Sequence, residues 1–221
     1  MKASDFIAKK ISTYTNHVFS GQGGSVVHIL DSLSKIKKVT IVPSQNEQGA
    51  SLAADAYYRS SKKIGIVIAT SGPGILNTLQ GMACSYYDSI PALYISGAPV
   101  MKAIKKNNKL RQLGFQEMEV ASLVQSITKY STRITNIKDI NYEIEKCIHI
   151  AKTGRPGPVL IDLPDDIQRM NVEVKKQRAY VPKSLNKKKI TNHKKIEKLI
   201  KNSKRPIIIV GGGVKISDTG N

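Results

Sequence analysis

With 221 residues the chain has room for one complete domain and the opening of a second, since domains usually run to ~100–200 residues. An apolar share of 40% supports an ordinary core, and no segment approaches the ~18 consecutive apolar residues of a membrane span. The net charge of +19 raises the question of a polyanion partner. It is concentrated in residues 169–205, where fourteen Lys and Arg face only Glu173 and Glu197. Tyr180 is the sole aromatic there, so the stacking groups of single-strand binders are missing, and a solvated linker and helix face is the expected reading. Met1–Ile11 spaces three lysines and an aspartate as a helix would, with no leader-type apolar run. Cys84 and Cys147 lie in apolar helical patterns without metal-ligand spacing, which predicts buried, reduced thiols in a cytoplasmic protein.

Along the chain, short apolar runs alternate with longer amphipathic ones. Residues 4–14 read as a helix, His17–Phe19 as a strand, and 25–36 as a helix with Val26, Ile29, Leu30 and Leu33 on one face. Val39–Val42 is a strand, and Asn46–Ser60 carries Ala50, Ala53, Ala54 and Tyr57 at helical spacing. Ile64–Ala69 is a nearly continuous apolar run, as expected of a parallel strand buried on both faces. A helix at Ile75–Tyr86 and a strand at Ala92–Ser96 follow. A helix marked by Ile140, Ile144, Ile148 and Ala151 and a strand at Val159–Leu163 come later. The alternation predicts an α/β fold with a mainly parallel sheet and helices on both faces. Periodicity fails from about Met170 to Ile190, where Pro182 and the Lys187–Lys189 run suggest a linker. A helix near Lys194–Lys201 and a strand at Ile207–Val210 then restart the pattern, so a second α/β domain is expected to begin and not finish.

Three loops at the carboxyl ends of predicted strands can carry chemistry, because open α/β sheets bind ligands there. Phe19–Gly24 is glycine-rich but has neither dinucleotide nor Walker spacing, which favours a tight turn. In Pro43–Ala50, Asn46 can cap a helix whose first turn holds Glu47; taken alone, Glu47 simply complements the helix dipole. In Thr70–Asn77, Thr70 or Ser71 can cap the next helix, and the glycines suit either a phosphate or a flat heterocycle. The four histidines have no metal-ligand rhythm, and no metal site is expected in the chain.

Taken together, V-F-S-G-Q-G-G (18–24), N-E-Q-G-A-S-L-A-A-D-A-Y-Y-R (46–59), A-T-S-G-P-G-I-L-N (69–77) and Y-D-S-I-P-A-L-Y-I-S-G (87–97) resemble the N-terminal, pyrimidine-binding domain of thiamine-diphosphate enzymes of the acetolactate synthase type. The resemblance continues through G-F-Q-E (114–117), I-T-K-Y (127–130) and G-R-P-G-P-V-L-I-D-L-P (154–164), and R-P-I-I-I-V-G-G-G (205–213) looks like the opening of the central domain. It implies a pyrimidine domain over 1–168, a basic linker over 169–190 and a truncated central domain over 191–221. It also implies a carboligase or decarboxylase acting on a 2-keto acid. In such enzymes the thiazolium C2 proton is removed by the cofactor's own 4′-imino group. A carboxyl group bonded to the pyrimidine N1′ favours that tautomer. Glu47 matches this position; burial against the ring raises its pKa while the helix N-terminus lowers it, so burial must win. By the same resemblance Pro73, Asn77 and Gln116 contact the cofactor, and Phe115 and Gln116 line the substrate end of the pocket.

The departures are informative. Ser20-Gly21-Gln22-Gly23 stands where such enzymes usually carry G-x-P-G, and Asp165 replaces a lysine of the active-site approach, which leaves the identity of the keto acid open. Arg155 matches a position linked to FAD in flavin-containing members, and FAD is left open. The G-D-G…N motif that holds the diphosphate through Mg²⁺ has no counterpart, so the resemblance implies a partner: another subunit, or a complementary diphosphate-binding domain. The alternative is a non-catalytic truncated remnant that pairs with homologous chains; a polyanion-binding module is the third reading.

Overall fold

The computed structural model describes residues 1–104, 109–182 and 192–217. The chain forms two units, Met1–Pro182 and Lys183–Asn221. In chain order the first contains α1 (Ala3–Ile11), β1 (His17–Ser20), α2 (Val27–Ser34), β2 (Thr40–Pro43), α3 (Glu47–Ser61) and β3 (Gly65–Ala69). It continues with α4 (Pro73–Asn77), α5 (Leu79–Tyr87), β4 (Ala92–Ala98), α6 (Val120–Leu123), β5 (Tyr130–Arg133), α7 (Ile140–Lys152), β6 (Val159–Pro164) and α8 (Asp165–Arg169). The six strands make one sheet in the order β2-β1-β3-β4-β6-β5, every neighbouring pair parallel.

Apolar strands sit at the centre because both sheet faces are covered. Ile66 and Ile68 of β3 belong to one core with Ile7 and Ile11 of α1, Ile29 and Leu33 of α2, and Ile144 and Ile148 of α7. Val67 and Ala69, which point the other way, belong to a second core with Ala50 and Ala54 of α3, Met82 of α5 and Tyr94 of β4. Each fully buried aliphatic side chain contributes ~1.5–3 kcal/mol to holding these layers. The expected α/β architecture with a mainly parallel sheet is therefore what the chain adopts. Among the described residues no helix is long and apolar enough to cross a membrane.

Several sequence expectations need correction. The helix expected over 75–86 is two helices: buried Thr78 turns its hydroxyl back to the Ile75 carbonyl at 2.7 Å, a local bond that competes with helix continuation. Cys147 is buried, and burial raises its thiol pKa, but Cys84 is exposed on the outer side of α5, whose buried residues are Gly81, Met82 and Ser85. Strand β5 lacks an apolar run because it is a half-buried edge strand with β6 as its single neighbour. Residues 171–180 lie along the first unit: Val172 N donates to Met1 O at 2.8 Å, and Asn141 Nδ2 donates to Arg178 O at 3.0 Å. The Lys187–Lys189 run lies outside the described residues.

The second unit contains α9 (His193–Asn202) and α10 (Gly212–Ser217). Ile207–Val210, expected as a strand, is not one: its residues are 68–93% exposed, and no strand lies beside it among the described residues. A strand's backbone groups need a neighbouring ladder, which this segment lacks.

Candidate functional site

Parallel strands bring the loops that follow them to one edge of the sheet. The chain leaves β1 toward β2 on one side and leaves β3 toward β4 on the other, which opens a crevice at the carboxyl ends of β1 and β3. The three loops singled out in the sequence meet there.

Glu47 is the first residue of α3. Asn46 caps that helix, its side-chain oxygen accepting from Gly49 N at 2.8 Å, as its sequence position suggests. The half-buried Glu47 carboxylate is held from one side: Asn77 Nδ2, at the end of α4, donates to Oε2 at 3.0 Å. Oε1 has no hydrogen-bond partner among the described residues. Two glycines approach it closely: a Cβ on Gly21 would lie 2.6 Å from Oε1, and one on Gly74 3.3 Å away. A cleft of about 440 Å³ opens beside the carboxylate, lined by Gly21, Gln22, Pro43, Ser44, Gln45 and Glu47.

The cap of α4 differs from expectation. Gly72, at φ +62°, is the capping residue, and no side chain of Thr70 or Ser71 accepts from the helix's first N–H groups. Their groups tie loops together instead: Ser25 Oγ lies 2.8 Å from Thr70 Oγ1 and accepts from Ser71 N at 3.0 Å. Pro73 is the first residue of α4 and is exposed. A Cβ on Gly72 would meet Gln116 O at 2.7 Å, so Gln116, itself at φ +52°, lies directly against this turn. Phe115 is 82% exposed. A second cleft of about 470 Å³ has Ser25, Ser71, Pro99, Phe115, Gln116 and Asp165 among its lining residues. Asp165 faces His28 Nε2 at 3.6 Å and Arg169 Nη2 at 2.9 Å.

Glu47, Pro73, Asn77 and Gln116 thus come together from three segments of the chain, those that follow β2, β3 and β4. Arg155 does not join them: it precedes β6, at the amino end of the strands, where its guanidinium donates to Ser89 Oγ at 2.6 Å and to Tyr87 O at 2.9 Å. Sequence reasoning missed Ser25, which links two loops, and the pair Arg133–Asp162. Asp162 interrupts an apolar strand and is 1% exposed; burial pushes its carboxyl up to about 6 against the opposing pull of Arg133. A carboxylate inside an otherwise apolar strand was the signal available for it.

These features fit a flat nitrogen heterocycle. Gly21 and Gly74 let their loops close on the Glu47 carboxylate, which keeps one oxygen uncommitted beside the cleft. Among the described residues no cluster of three His, Cys, Asp or Glu stands where it could hold a metal ion.

The fold agrees with the family that the chain's sequence matches. Residues 1–123 match the family described as thiamine pyrophosphate enzyme, N-terminal TPP binding domain, and the chain belongs to that family. It is 34% identical over 203 residues to the acetolactate synthase large subunit of Lactococcus lactis, covering 90% of this chain and 34% of that protein. To the probable acetolactate synthase large subunit of Methanocaldococcus jannaschii it is 36% identical over 224 aligned positions, covering 98% of this chain and 37% of that protein. To the chloroplastic acetolactate synthase of Arabidopsis thaliana it is 35% identical over 201 residues, covering 89% and 29%. The chain spans about a third of the length of these relatives.

Proposed function

We propose that the chain supplies the aminopyrimidine half of a thiamine-diphosphate site in an acetolactate synthase-like carboligase or decarboxylase acting on a 2-keto acid. The observation that carries this reading is the Glu47 carboxylate, anchored through Oε2 by Asn77 and uncommitted at Oε1, on the wall of a cleft that Gly21 also lines. When bound, thiamine diphosphate supplies a carbon nucleophile at its thiazolium C2. The chain's own contribution is to present Glu47 Oε1 to the pyrimidine N1′ and exchange a proton there. Asn77 fixes the carboxylate's rotation, and the Gly72-Pro73-Gly74 turn offers backbone to the ring face. Phe115 and Gln116 border the neighbouring cleft, which suits the 2-keto acid. The diphosphate and its Mg²⁺ need oxygen ligands from another domain or subunit.

Two measurements test this. Calorimetric titration with thiamine diphosphate and Mg²⁺, on the chain alone and mixed with a homologous C-terminal domain, is expected to show binding only in the mixture. Absence of binding while the two proteins demonstrably associate would favour the non-catalytic pairing reading. In the active mixture, Glu47→Gln is expected to slow C2 hydrogen exchange by at least ~100-fold, the lower end of what positioned proton transfer contributes. Near-normal exchange would remove Glu47 from its assigned role.

A further inference from the structure

Gln116 and Phe115 lie on a stretch, residues 113–119, that contains no helix or strand, and Gln116 keeps a positive φ that side chains rarely adopt. Such a conformation persists only when its surroundings over-determine it. Part of the restraint is local: Glu117 Oε2, on a side chain almost wholly buried, accepts from Leu113 N at 2.6 Å and Gly114 N at 3.1 Å. Further restraint arrives from the far edge of the sheet. Arg133, the last residue of β5, sits opposite Asp162 in the strand register, and its Nε donates to Asp162 Oδ2 at 2.5 Å. Had Arg133 only to join β5 to β6, that bond would suffice. Its two other nitrogens reach into the loop instead: Nη2 donates to Met118 O at 3.0 Å, and Nη1 pairs with Glu119. The Arg133 side chain is only 13% exposed, and a planar fork with three fixed partners has little freedom to drift.

We propose that Arg133 is a positioning residue: anchored on Asp162, it clamps Met118 and Glu119, and so fixes Gln116 against Gly72 and sets the Gly114–Gln116 wall of the second cleft. Its functional meaning rests on the reading of that cleft as the substrate end of a thiamine-diphosphate site. The clamp itself is testable on the 221-residue chain without any cofactor, so failure of one does not imply failure of the other; the Glu47→Gln exchange experiment decides the cofactor reading separately.

Arg133→Met alone strands a buried carboxylate and risks misfolding, so the informative variant is R133M/D162N, with Asp162→Asn as the control that keeps the guanidinium. Amide hydrogen exchange is expected to accelerate about tenfold or more at Gly114 and Glu117 in the double variant, with Leu93 and Ile161 in the sheet unchanged. In Asp162→Asn the loop amides are expected to stay within about threefold of the parent. The chain contains no tryptophan, so Phe115→Trp adds a single reporter at the loop; its fluorescence anisotropy is expected to fall in the double variant. Uniform acceleration of loop and strand amides would overturn the proposal by reducing Arg133 to a sheet brace. Unchanged loop exchange and anisotropy would overturn it by leaving the loop to Glu117.

Discussion

The carboxyl edge of the sheet is built in two ways. Around β2, β1 and β3, loops approach one another through residues without a Cβ and through small hydroxyls: Gly21 and Gly74 against Glu47, Ser25 against Thr70. Around β4, β6 and β5, long charged side chains do the holding, with Arg133 on Asp162 and Met118, and Asp165 between His28 and Arg169. The first construction leaves a cleft bordered by backbone and one carboxylate. The second spans larger gaps and reaches a loop that contains no helix or strand. Close backbone approach has no tolerance for added atoms, whereas a buried charge pair is sensitive to protons, so the two halves should break under different perturbations.

The largest expected effect comes from adding a methyl group where the opposing wall is backbone. A Cβ on Gly65, at the start of β3, would lie 2.3 Å from the Ala54 carbonyl oxygen in α3. Neither group can swing away without shifting the helix that carries Glu47. Gly65→Ala is expected to lose about 3 kcal/mol or more of unfolding free energy in urea, the upper range for overpacking. A loss under ~1 kcal/mol would show that α3 slides freely on the sheet, and would weaken the view that its amino end is rigidly placed.

The charged half should respond to pH. Asp162 has its carboxyl pushed up to about 6 by burial, whereas an unfolded aspartate titrates near ~3.9. Between those values the folded chain holds a proton that the unfolded chain does not, so this group's contribution to stability rises as pH falls from about 6 toward 4 and is flat above. The gap corresponds to roughly 2–3 kcal/mol at most. Asp162→Asn is expected to remove that component: the parent should gain on the variant as pH is lowered through this window, read from urea midpoints. A parent that loses ground would mean that Arg133 holds the carboxylate below its ordinary range.

What the sequence revealed of these two halves follows from how local each signal is. Ile64–Ala69 is legible because a strand buried on both faces must be apolar throughout, and the Asn46 cap is legible because donor and acceptor lie three residues apart. The cap of α4 differs because the Thr70 hydroxyl bonds Ser25, 45 residues away, and the Ser71 backbone N–H donates to the same Ser25 oxygen. Arg133 was invisible for the same reason: its bonds reach 15 and 29 residues along the chain, and its strand is a half-buried edge without an apolar pattern. Glu47 is intermediate. Its helix position is local information, but its meaning depends on Gly21, Gly74 and Asn77, which only the parallel sheet brings beside it.

The smallest change in stability should carry the clearest information about the glycine half. A Cβ on Gly21 would also fall too close to its neighbour, 2.6 Å from Glu47 Cγ and Oε1, but here the obstacle is the far end of a flexible side chain. The fold can yield by turning Glu47 away, so Gly21→Ala is expected to change stability by no more than about 0.5 kcal/mol. What moves is the carboxylate itself, out of line with Asn77 and the cleft. Thiamine-diphosphate binding in the mixture with a complementary domain is therefore expected to weaken by about tenfold or more, a difference of ~1.4 kcal/mol. If instead stability falls by several kcal/mol while binding by the folded fraction is intact, Phe19–Gly24 is a structural turn and nothing more. The contrast with Gly65→Ala then separates a glycine that admits a helix from a glycine that admits a ligand.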